Sequence, residues 1–442
     1  MVAEGAAMNI HPDKYIRRNI HTYPFKYTYT DYNSFFRKED AAIYIHIPFC
    51  STKCHFCDYT VYTNTKDDLR EAYVQALIKE IRAFPANPVF PRFKIEAIYY
   101  GGGTPGLLSA EQLIRILDAC RDTFEIAECA EIAIEFDPKS VEAEKLAKLY
   151  AAGFTRFSIG IQSFDEAILK ETNRPHGLQD IDNAVAAIRA SGFTHVNVDL
   201  IYPLIGLTPE IWEDSVKRAI DLDMSCITVY PLEVWENTAY HNWILKKGQK
   251  LPRIEDEKAM AVTAFDLLEK AGYVTGSTSG YYRPDRAKTY CRFLDFYWRT
   301  WPMIGFGVSS KSAIHQFMYT NITNIRQYID RLERDESVLD FSTYLTKEQE
   351  MRRVMIRGLK VGYVYRSDFK SRFGIPMDLV YGEIVSSLVQ DGYLTDDGEE
   401  IRLTRKGQLY SNAVWENFYS EDDLAPAKPE EVKFGISELI LD

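Results

Sequence analysis

Two hydrophobic patterns alternate along the chain from residue 42 onward. Short apolar runs predict buried strands, and the stretches between them carry apolar residues at the 3.6-residue spacing of amphipathic helices. The predicted strands are residues 42–47, 97–100, 131–136, 156–161, 196–201 and 226–230. The predicted helices are residues 68–84, 110–123, 142–152, 180–191, 209–222 and 254–271.

This strand–helix alternation predicts parallel βαβ units with right-handed crossovers. Units of this kind in series favour an α/β fold, a partial (β/α)6-type barrel, with a doubly wound sheet as the alternative. In both folds the functional groups gather at the carboxyl ends of the strands. We therefore look for chemistry in the loops that follow each strand.

The pattern also divides the chain into segments. We expect a Tyr-rich N-terminal arm (1–40), a barrel domain with its extension (41–315), a connector (316–345), a C-terminal domain (346–420) and an acidic tail (421–442). The C-terminal domain is predicted to hold helices at 347–359, 366–373 and 377–390, and a hairpin at 393–404. Three helices and a hairpin predict a winged-helix-like α+β domain, here without the basic stripe that a DNA-binding domain needs.

Composition narrows the class of protein. Hydrophobic residues make up 46% of the 442 residues and charged residues 26%, which is typical of a globular protein. With 52 Lys and Arg against 64 Asp and Glu, the net charge of −12 argues against nucleic acid as a partner. No apolar run reaches the roughly 20 residues of a membrane span, and no secretory signal is evident. We expect a cytoplasmic monomer that binds a small-molecule substrate and no membrane.

Three of the seven cysteines lie close together. Cys50, Cys54 and Cys57 have the spacing C-x3-C-x2-C and directly follow the first predicted strand. A structural zinc site normally has four ligands, whereas three thiolates suit a cubane iron–sulfur cluster with one iron open to a substrate or cofactor. Zinc and three incidental cysteines remain the alternatives at this point.

Residues 44–57, with Phe56 before the third cysteine, resemble the radical S-adenosylmethionine (SAM) enzymes. More narrowly they are similar to the HemN-like branch, which includes oxygen-independent coproporphyrinogen III oxidases, and the C-terminal domain also fits that branch. The resemblance implies a [4Fe–4S] cluster on the three cysteines and SAM on its open iron. It also implies an electron donor such as flavodoxin or ferredoxin.

The resemblance further implies two sets of cofactor-binding residues. Around the first SAM we expect Phe56 and, from the loops after the second and third strands, Gly102, Gly103, Thr104 and Glu135. A second SAM molecule would be held by Gln162, Arg174 and Asp199, with Asp199 on the ribose hydroxyls and Arg174 on the carboxylate. The candidate catalytic residues are Tyr44 and Cys291.

Three departures from the branch bear on the substrate. Tyr59 stands where coproporphyrinogen oxidases carry a further cysteine, and Phe293-Leu294 stands where haem chaperones carry His-Asn. Small residues (277–280) replace an acidic–His pair and are expected to make room for a different substrate. These departures favour a class C methylase that adds a SAM-derived methylene or methyl group to an sp2 carbon of a small aromatic or heteroaromatic substrate, by C-methylation or cyclopropanation. Tetrapyrrole chemistry, either coproporphyrinogen III dehydrogenation or anaerobic haem modification, is the alternative, and a haem carrier is a third.

Overall fold

A computed structural model of the protein describes residues 39–86, 92–236, 238–287 and 290–420. The predicted tail lies outside these residues, as does the predicted arm apart from Glu39 and Asp40, which begin the first strand.

The first half of the chain alternates strands and helices, as the sequence predicts. In chain order these are β1 (Glu39–Ile47), α1 (Asp67–Ala83), β2 (Phe93–Gly102), α2 (Ala110–Thr123), β3 (Glu125–Phe136), α3 (Ala143–Ala151), β4 (Arg156–Gln162), α4 (Glu166–Glu171), α5 (Leu178–Ser191), β5 (His195–Tyr202), α6 (Pro209–Asp221), β6 (Cys226–Pro231), α7 (Ala239–Lys247) and α8 (Ile254–Lys270). Helix α2 begins at a capping box in which Ser109 and Gln112 each accept a backbone hydrogen bond from the other.

The strand order confirms a barrel-type sheet. Strands β1 to β6 lie side by side in chain order, and each neighbouring pair is parallel. A doubly wound sheet would reverse its order part-way across, so that alternative is excluded. The carboxyl ends of all six strands therefore meet at one end of the barrel.

The segment after α8 extends the sheet on both sides. Its elements are β7 (Val274–Thr275), β8 (Gly280–Tyr282), α9 (Arg292–Trp298), β9 (Met303–Phe306), β10 (Lys311–Ile314), β11 (Phe317–Asn321), α10 (Ile325–Glu333) and β12 (Leu339–Tyr344). Strand β9 pairs in parallel with β1, and β8 pairs antiparallel with β6. The predicted connector (316–345) thus adds two strands, β11 and β12, to the barrel sheet, and helix α10 links them.

The interior of the barrel is aromatic. Along β1 the residues Ile43, Ile45 and Ile47 are fully buried in the main apolar core, whereas Tyr44 belongs with a separate inner cluster. Helix α9 supplies that cluster with Phe293, whose ring stacks on Tyr99 at 4.7 Å and on Tyr44 at 5.9 Å between centroids. Helix α9 therefore fills the barrel beneath the site described below.

The C-terminal domain has its own apolar core. It consists of α11 (Lys347–Val361), β13 (Tyr363–Tyr365), α12 (Arg366–Phe373), α13 (Asp378–Gln390), β14 (Leu394–Asp396), β15 (Glu400–Leu403), α14 (Arg405–Leu409) and α15 (Ser411–Glu416). The three strands form one small sheet in the order β13-β15-β14, so the winged-helix-like expectation is confirmed. Helix α11 packs on α9 and so joins this domain to the barrel. Among the described helices, none is long and apolar enough to cross a bilayer.

Candidate active site

The three clustered cysteines lie on a loop at the carboxyl end of β1. The amide of Cys50 donates a hydrogen bond to the Tyr62 carbonyl at 3.1 Å, and the amide of Cys57 donates to the Cys54 carbonyl at 3.1 Å. All three thiols are free and partly exposed. Phe56 packs edge-on against Tyr240, with 6.3 Å between ring centroids, and so fixes the last turn of the loop.

The electrostatics of these thiols suit an iron–sulfur cluster. Burial, with a smaller contribution from the neighbouring thiols, raises the pKa of Cys50 to about 11 and that of Cys57 to about 12. They therefore become thiolates only beside a strong positive charge such as iron. In the described part of the chain, no three His, Cys, Asp or Glu side chains are arranged to hold a single metal ion. A cubane cluster differs because each thiolate binds a different iron. The residues thus fit a [4Fe–4S] cluster better than zinc.

The glycine-rich segment after β2 packs directly on the cysteine loop. The amides of Gly103 and Thr104 donate to the Ile47 and Phe49 carbonyls at 2.8 and 2.7 Å. The Thr104 hydroxyl lies 3.6 Å from the sulfur of Cys50. A Cβ at Gly103 would lie 2.6 Å from the Phe49 oxygen, so only glycine permits this approach. Gly102 has φ +106°, which also favours glycine.

Glu135 lies beside this segment. Its Oε1 accepts a hydrogen bond from the Tyr99 hydroxyl at 2.5 Å, and its Oε2 is 3.0 Å from where a Cβ on Gly101 would stand. Burial raises the pKa of Glu135 to about 7, the Tyr99 bond opposes that rise and the Asp199 carboxylate adds to it. The carboxylate thus lies at the carboxyl ends of β2 and β3, the end of the barrel that also carries the cysteine loop.

Gln162, Arg174 and Asp199 converge around Gly160. Arg174 Nη2 donates to the Gly160 carbonyl at 2.6 Å, and Asp199 lies opposite Gly160 on the neighbouring strand. Gln162 takes the left-handed region at φ 70° and places its Nε2 2.7 Å from the position of a Cβ at Gly160. The Gln162 Oε1 is buried, and no hydrogen-bond partner for it is found among the described residues. An orphaned buried acceptor of this kind is typical of a ligand site.

Arg174 also contacts the cysteine loop itself. Its Nη1 donates to the sulfur of Cys54 at 3.2 Å. The preceding residue, Asn173, donates to the Lys53 carbonyl at 2.9 Å and accepts from the Thr52 hydroxyl at 3.1 Å through its own carbonyl. Sequence reasoning assigned Arg174 to a second SAM and missed this contact, because the two segments are far apart in the chain.

Tyr59 and Tyr230 mark an open space at the carboxyl ends of the strands, called the chamber below. Tyr59 is 54% exposed and Tyr230 is 40% exposed. Desolvation by the surrounding barrel, together with Glu135 for Tyr59 and Asp199 for Tyr230, raises the pKa of both hydroxyls. Their open surface therefore faces the barrel interior. Tyr230 ends the predicted sixth strand, so its place at the carboxyl end could have been anticipated.

The two candidate catalytic residues lie in different parts of the barrel. Tyr44 lies on β1, which precedes the cysteine loop, and its hydroxyl shares a 3.2 Å hydrogen bond with His46 Nδ1. Cys291 is 2% exposed and packs with residues near the amino-terminal ends of the strands, such as Ala42 and Cys226. Its sulfur donates to Glu131 Oε1 at 3.4 Å. This position is at the opposite end of the barrel from the cluster loop and does not support a substrate-facing role for Cys291.

The small residues at 277–280 do not open the chamber. A Cβ on Gly280 would lie 2.5 Å from the Tyr290 ring, and one on Gly276 would lie 2.3 Å from the Tyr290 Cβ. The expectation of extra substrate room here is therefore wrong, because Tyr290 occupies the space. Its hydroxyl hydrogen-bonds Thr228 at 2.5 Å.

Comparison with known proteins agrees with a radical SAM barrel followed by a separate C-terminal domain. The family model of the radical SAM superfamily matches residues 44–219, and that of the HemN C-terminal domain matches residues 345–410. Over these two matched segments the chain resembles the HemN-like branch of the radical SAM superfamily. Its HemN-like fold is also evident in the solved structure of coproporphyrinogen III oxidase (HemN) from Escherichia coli. That structure has a TM-score of 0.73 at 25% identity, over 86% of this chain and 90% of the other.

Curated relatives of this HemN-like chain carry two different names. The heme chaperone HemW of Lactococcus lactis is 28% identical over 380 residues, which are 86% of this chain and 97% of HemW. The oxygen-independent coproporphyrinogen III oxidase of Salmonella typhimurium is 28% identical over 388 residues, which are 83% of each chain. One relative is thus named as a heme chaperone and the other as a coproporphyrinogen III oxidase, and neither is named as a methylase.

Proposed function

We propose that the protein is a radical SAM enzyme that acts on a tetrapyrrole with carboxylate side chains. The observation that carries the proposal is the pair of exposed tyrosines, Tyr59 and Tyr230, beside the carboxylates of Glu135 and Asp199 at the barrel end that carries the three-thiol loop. Tyr59 and Tyr230 present rings and hydroxyls there, which suits a flat aromatic ligand with polar edges. The HemN-like relatives support the same substrate class by their names.

A [4Fe–4S] cluster with bound SAM would supply a carbon radical that abstracts hydrogen from the substrate. The chain itself binds and orients the reactants. Cys50, Cys54 and Cys57 would hold the cluster, the Gly102–Thr104 segment and Glu135 would lie beside the bound SAM, and α9 closes the barrel from below. Closing the site in this way keeps water away from reactive groups.

A second candidate is methylene transfer from a second SAM molecule to an sp2 carbon. One observation favours it: the orphaned Gln162 Oε1 lies with Asp199 and Arg174 around Gly160, apart from the glycine-rich segment. A ribose or amino-acid moiety could satisfy these groups. The tetrapyrrole proposal takes precedence because the curated relatives have names from haem metabolism.

One assay separates the candidates. The anaerobically reconstituted protein is incubated with reductant, methyl-deuterated SAM and coproporphyrinogen III. We expect 5′-deoxyadenosine without deuterium, in an amount that depends on the porphyrinogen. Deuterated 5′-deoxyadenosine together with S-adenosylhomocysteine would overturn the proposal in favour of methylene transfer. Tight haem binding by a protein that never cleaves SAM would overturn it in favour of a carrier.

The reaction also needs a reductant, and we propose a one-electron donor such as flavodoxin or ferredoxin. Because such donors work in the cytoplasm, we propose that location for the enzyme, acting as a monomer without nucleic acid or membrane partners.

A further inference from the structure

A small cavity lies where the C-terminal domain meets the barrel. It has a volume of about 170 Å³ and is lined by residues of α11, α9 and strands β9 to β11. Its polar lining consists of Arg353 and Arg357 from α11 and Lys311 and Ser312 from β10, and Tyr297 from α9 also lines it. Among the described residues that line it there is no carboxylate, so the cavity is strongly positive.

The two arginines lack the hydrogen bonds that burial normally demands. The Nε and Nη1 atoms of Arg353 and the Nε and Nη2 atoms of Arg357 are buried, and no partner for them is found in the described part of the chain. Leaving charged donors unpaired away from water is costly. The Arg357 guanidinium lies 4.0 Å over the ring of Tyr297, which compensates its charge only in part.

Glu350 is the carboxylate that acts on Arg353, but it is already bound by another arginine. Glu350 is bound by Arg372 through Nε at 3.0 Å and Nη2 at 2.5 Å, and Arg372 also donates to the Thr300 hydroxyl at 2.7 Å. Burial, followed by repulsion from Arg357 and Arg372, lowers the pKa of Arg353 to about 9. The charged form of Arg353 would therefore be stabilised by an anion in the cavity.

The cavity also adjoins the chamber. Tyr297 lines the cavity, and its phenol is an electrostatic neighbour of both Tyr44 and Tyr59 inside the barrel. One side chain thus forms the wall between the positive cavity and the proposed substrate site.

We propose that this cavity is a subsite for one carboxylate side chain of the substrate, held by Arg353 and Arg357. The inference rests on the proposed function for its substrate class. At about 170 Å³ the cavity is smaller than the roughly 300–1,000 Å³ of sites that bind whole ligands, so it fits an arm and not a macrocycle. Guanidinium forks suit this task because they bind carboxylates through paired hydrogen bonds.

The test measures the binding of coproporphyrin III, which carries four carboxylates, by fluorescence quenching of the full-length protein. We expect the double variant Arg353→Gln/Arg357→Gln to bind it at least about tenfold more weakly than the wild type, because charged hydrogen bonds are lost. The tetramethyl ester should bind the double variant and the wild type equally. Arg352→Gln is the matched control, since Arg352 lies on the same helix but beside Tyr381 of the C-terminal domain. Unchanged thermal unfolding shows that each variant is folded.

The possible results distinguish a failure of the proposed subsite from a failure of the proposed function. Equal coproporphyrin III affinity in the wild type and the folded double variant would overturn the subsite. Titration with glutarate tests whether the cavity instead binds a free carboxylate. If glutarate binding needs both arginines while the double variant keeps the wild-type affinity for coproporphyrin III, the cavity binds free carboxylates and the proposal is overturned. If the wild type binds no porphyrin or porphyrinogen but binds glutarate through the arginines, the proposed function fails, and with it the assignment to a substrate arm, while an anion site remains.

Discussion

Arg174 donates a hydrogen bond from Nη1 to the sulfur of Cys54 at 3.2 Å. A positive charge and a hydrogen bond at a cluster thiolate favour the more negative, reduced cluster. We therefore expect Arg174→Gln to lower the reduction potential, on the order of 60 mV, the change that corresponds to a tenfold shift in a one-electron equilibrium. A redox titration followed by electron paramagnetic resonance measures it.

Two variants control that experiment. Arg174→Lys keeps the charge and should recover part of the lost potential, while Arg189→Gln removes an arginine whose partner is the distant Leu222 carbonyl and should change nothing. A wild-type potential in an Arg174→Gln protein with full iron content would contradict the role of this contact.

Gly103 is the tightest point between the glycine-rich segment and the cysteine loop. In Gly103→Ala the new Cβ would lie 2.6 Å from the Phe49 oxygen and 2.9 Å from the Ile47 oxygen, and both are backbone atoms that cannot turn aside. We expect a loss of about 1–3 kcal/mol in the free energy of unfolding and less iron bound after reconstitution. Urea unfolding and iron analysis measure these.

Gly382→Ala is the matched control for that substitution. Gly382 lies in helix α13, and its new Cβ would meet only the Asp378 Cβ, at 3.6 Å. This variant should bind iron normally and unfold at or above the wild-type urea concentration. Normal iron binding by Gly103→Ala would show that the loop tolerates displacement at this point.

The parallel half of the barrel could be predicted from the sequence because its strands are buried on both faces. The predicted strand 156–161 differs from β4 (Arg156–Gln162) by one residue, and the loop after β1 carries the thiols as predicted. Local periodicity and the rule that ligands gather at carboxyl ends of strands were sufficient there.

The later segment could not be predicted because its contacts are long-range. Phe293 stacks inside the barrel on Tyr99, and Tyr290 fills the space beside Gly280. Neither contact can be predicted from the spacing of hydrophobic residues along the chain. The position of Cys291 at the amino-terminal ends of the strands follows from that same insertion. Side chains brought together by such an insertion have to be seen in three dimensions.

Glu80 gives the fold a pH dependence away from the candidate site. Burial raises its pKa from 4.5 to about 7, although Tyr328, Gly307 and Asn321 donate hydrogen bonds to it. Because the folded-state pKa lies above the unfolded value, the proton stabilises the fold fully below pH 4.5, and this contribution is lost as the pH rises through 7. Glu80→Gln should reduce the stability lost between pH 5 and 8, by up to about 3 kcal/mol.

Urea unfolding of the metal-free protein at pH 5 and pH 8 tests this difference. Glu416→Gln, at an exposed position of helix α15, is the control and should keep the wild-type pH dependence. Identical pH dependence in Glu80→Gln and the wild type would show that Glu80 titrates near its usual value.

Helix α7 offers a basic surface next to the cysteine loop, which suits an acidic electron donor. The Tyr240 amide donates to the His55 carbonyl at 3.0 Å, the Trp243 and His55 rings lie 4.3 Å apart, and Lys246 and Lys247 are exposed beside them. We expect Lys246→Glu/Lys247→Glu to slow flavodoxin-driven formation of 5′-deoxyadenosine about tenfold at low salt, because reversing these charges removes the attraction.

Comparing flavodoxin with a small chemical reductant shows whether the slower rate comes from impaired docking. With dithionite, a small reductant that needs no docking surface, the double variant should form 5′-deoxyadenosine at the wild-type rate. Lys347→Glu/Lys370→Glu makes the same charge change at exposed positions of the C-terminal domain and should leave both rates unchanged. Equal slowing with flavodoxin and with dithionite would place the defect in the cluster or its SAM. Equal flavodoxin sensitivity in both double variants would reflect the net charge of the protein and remove α7 as the docking surface.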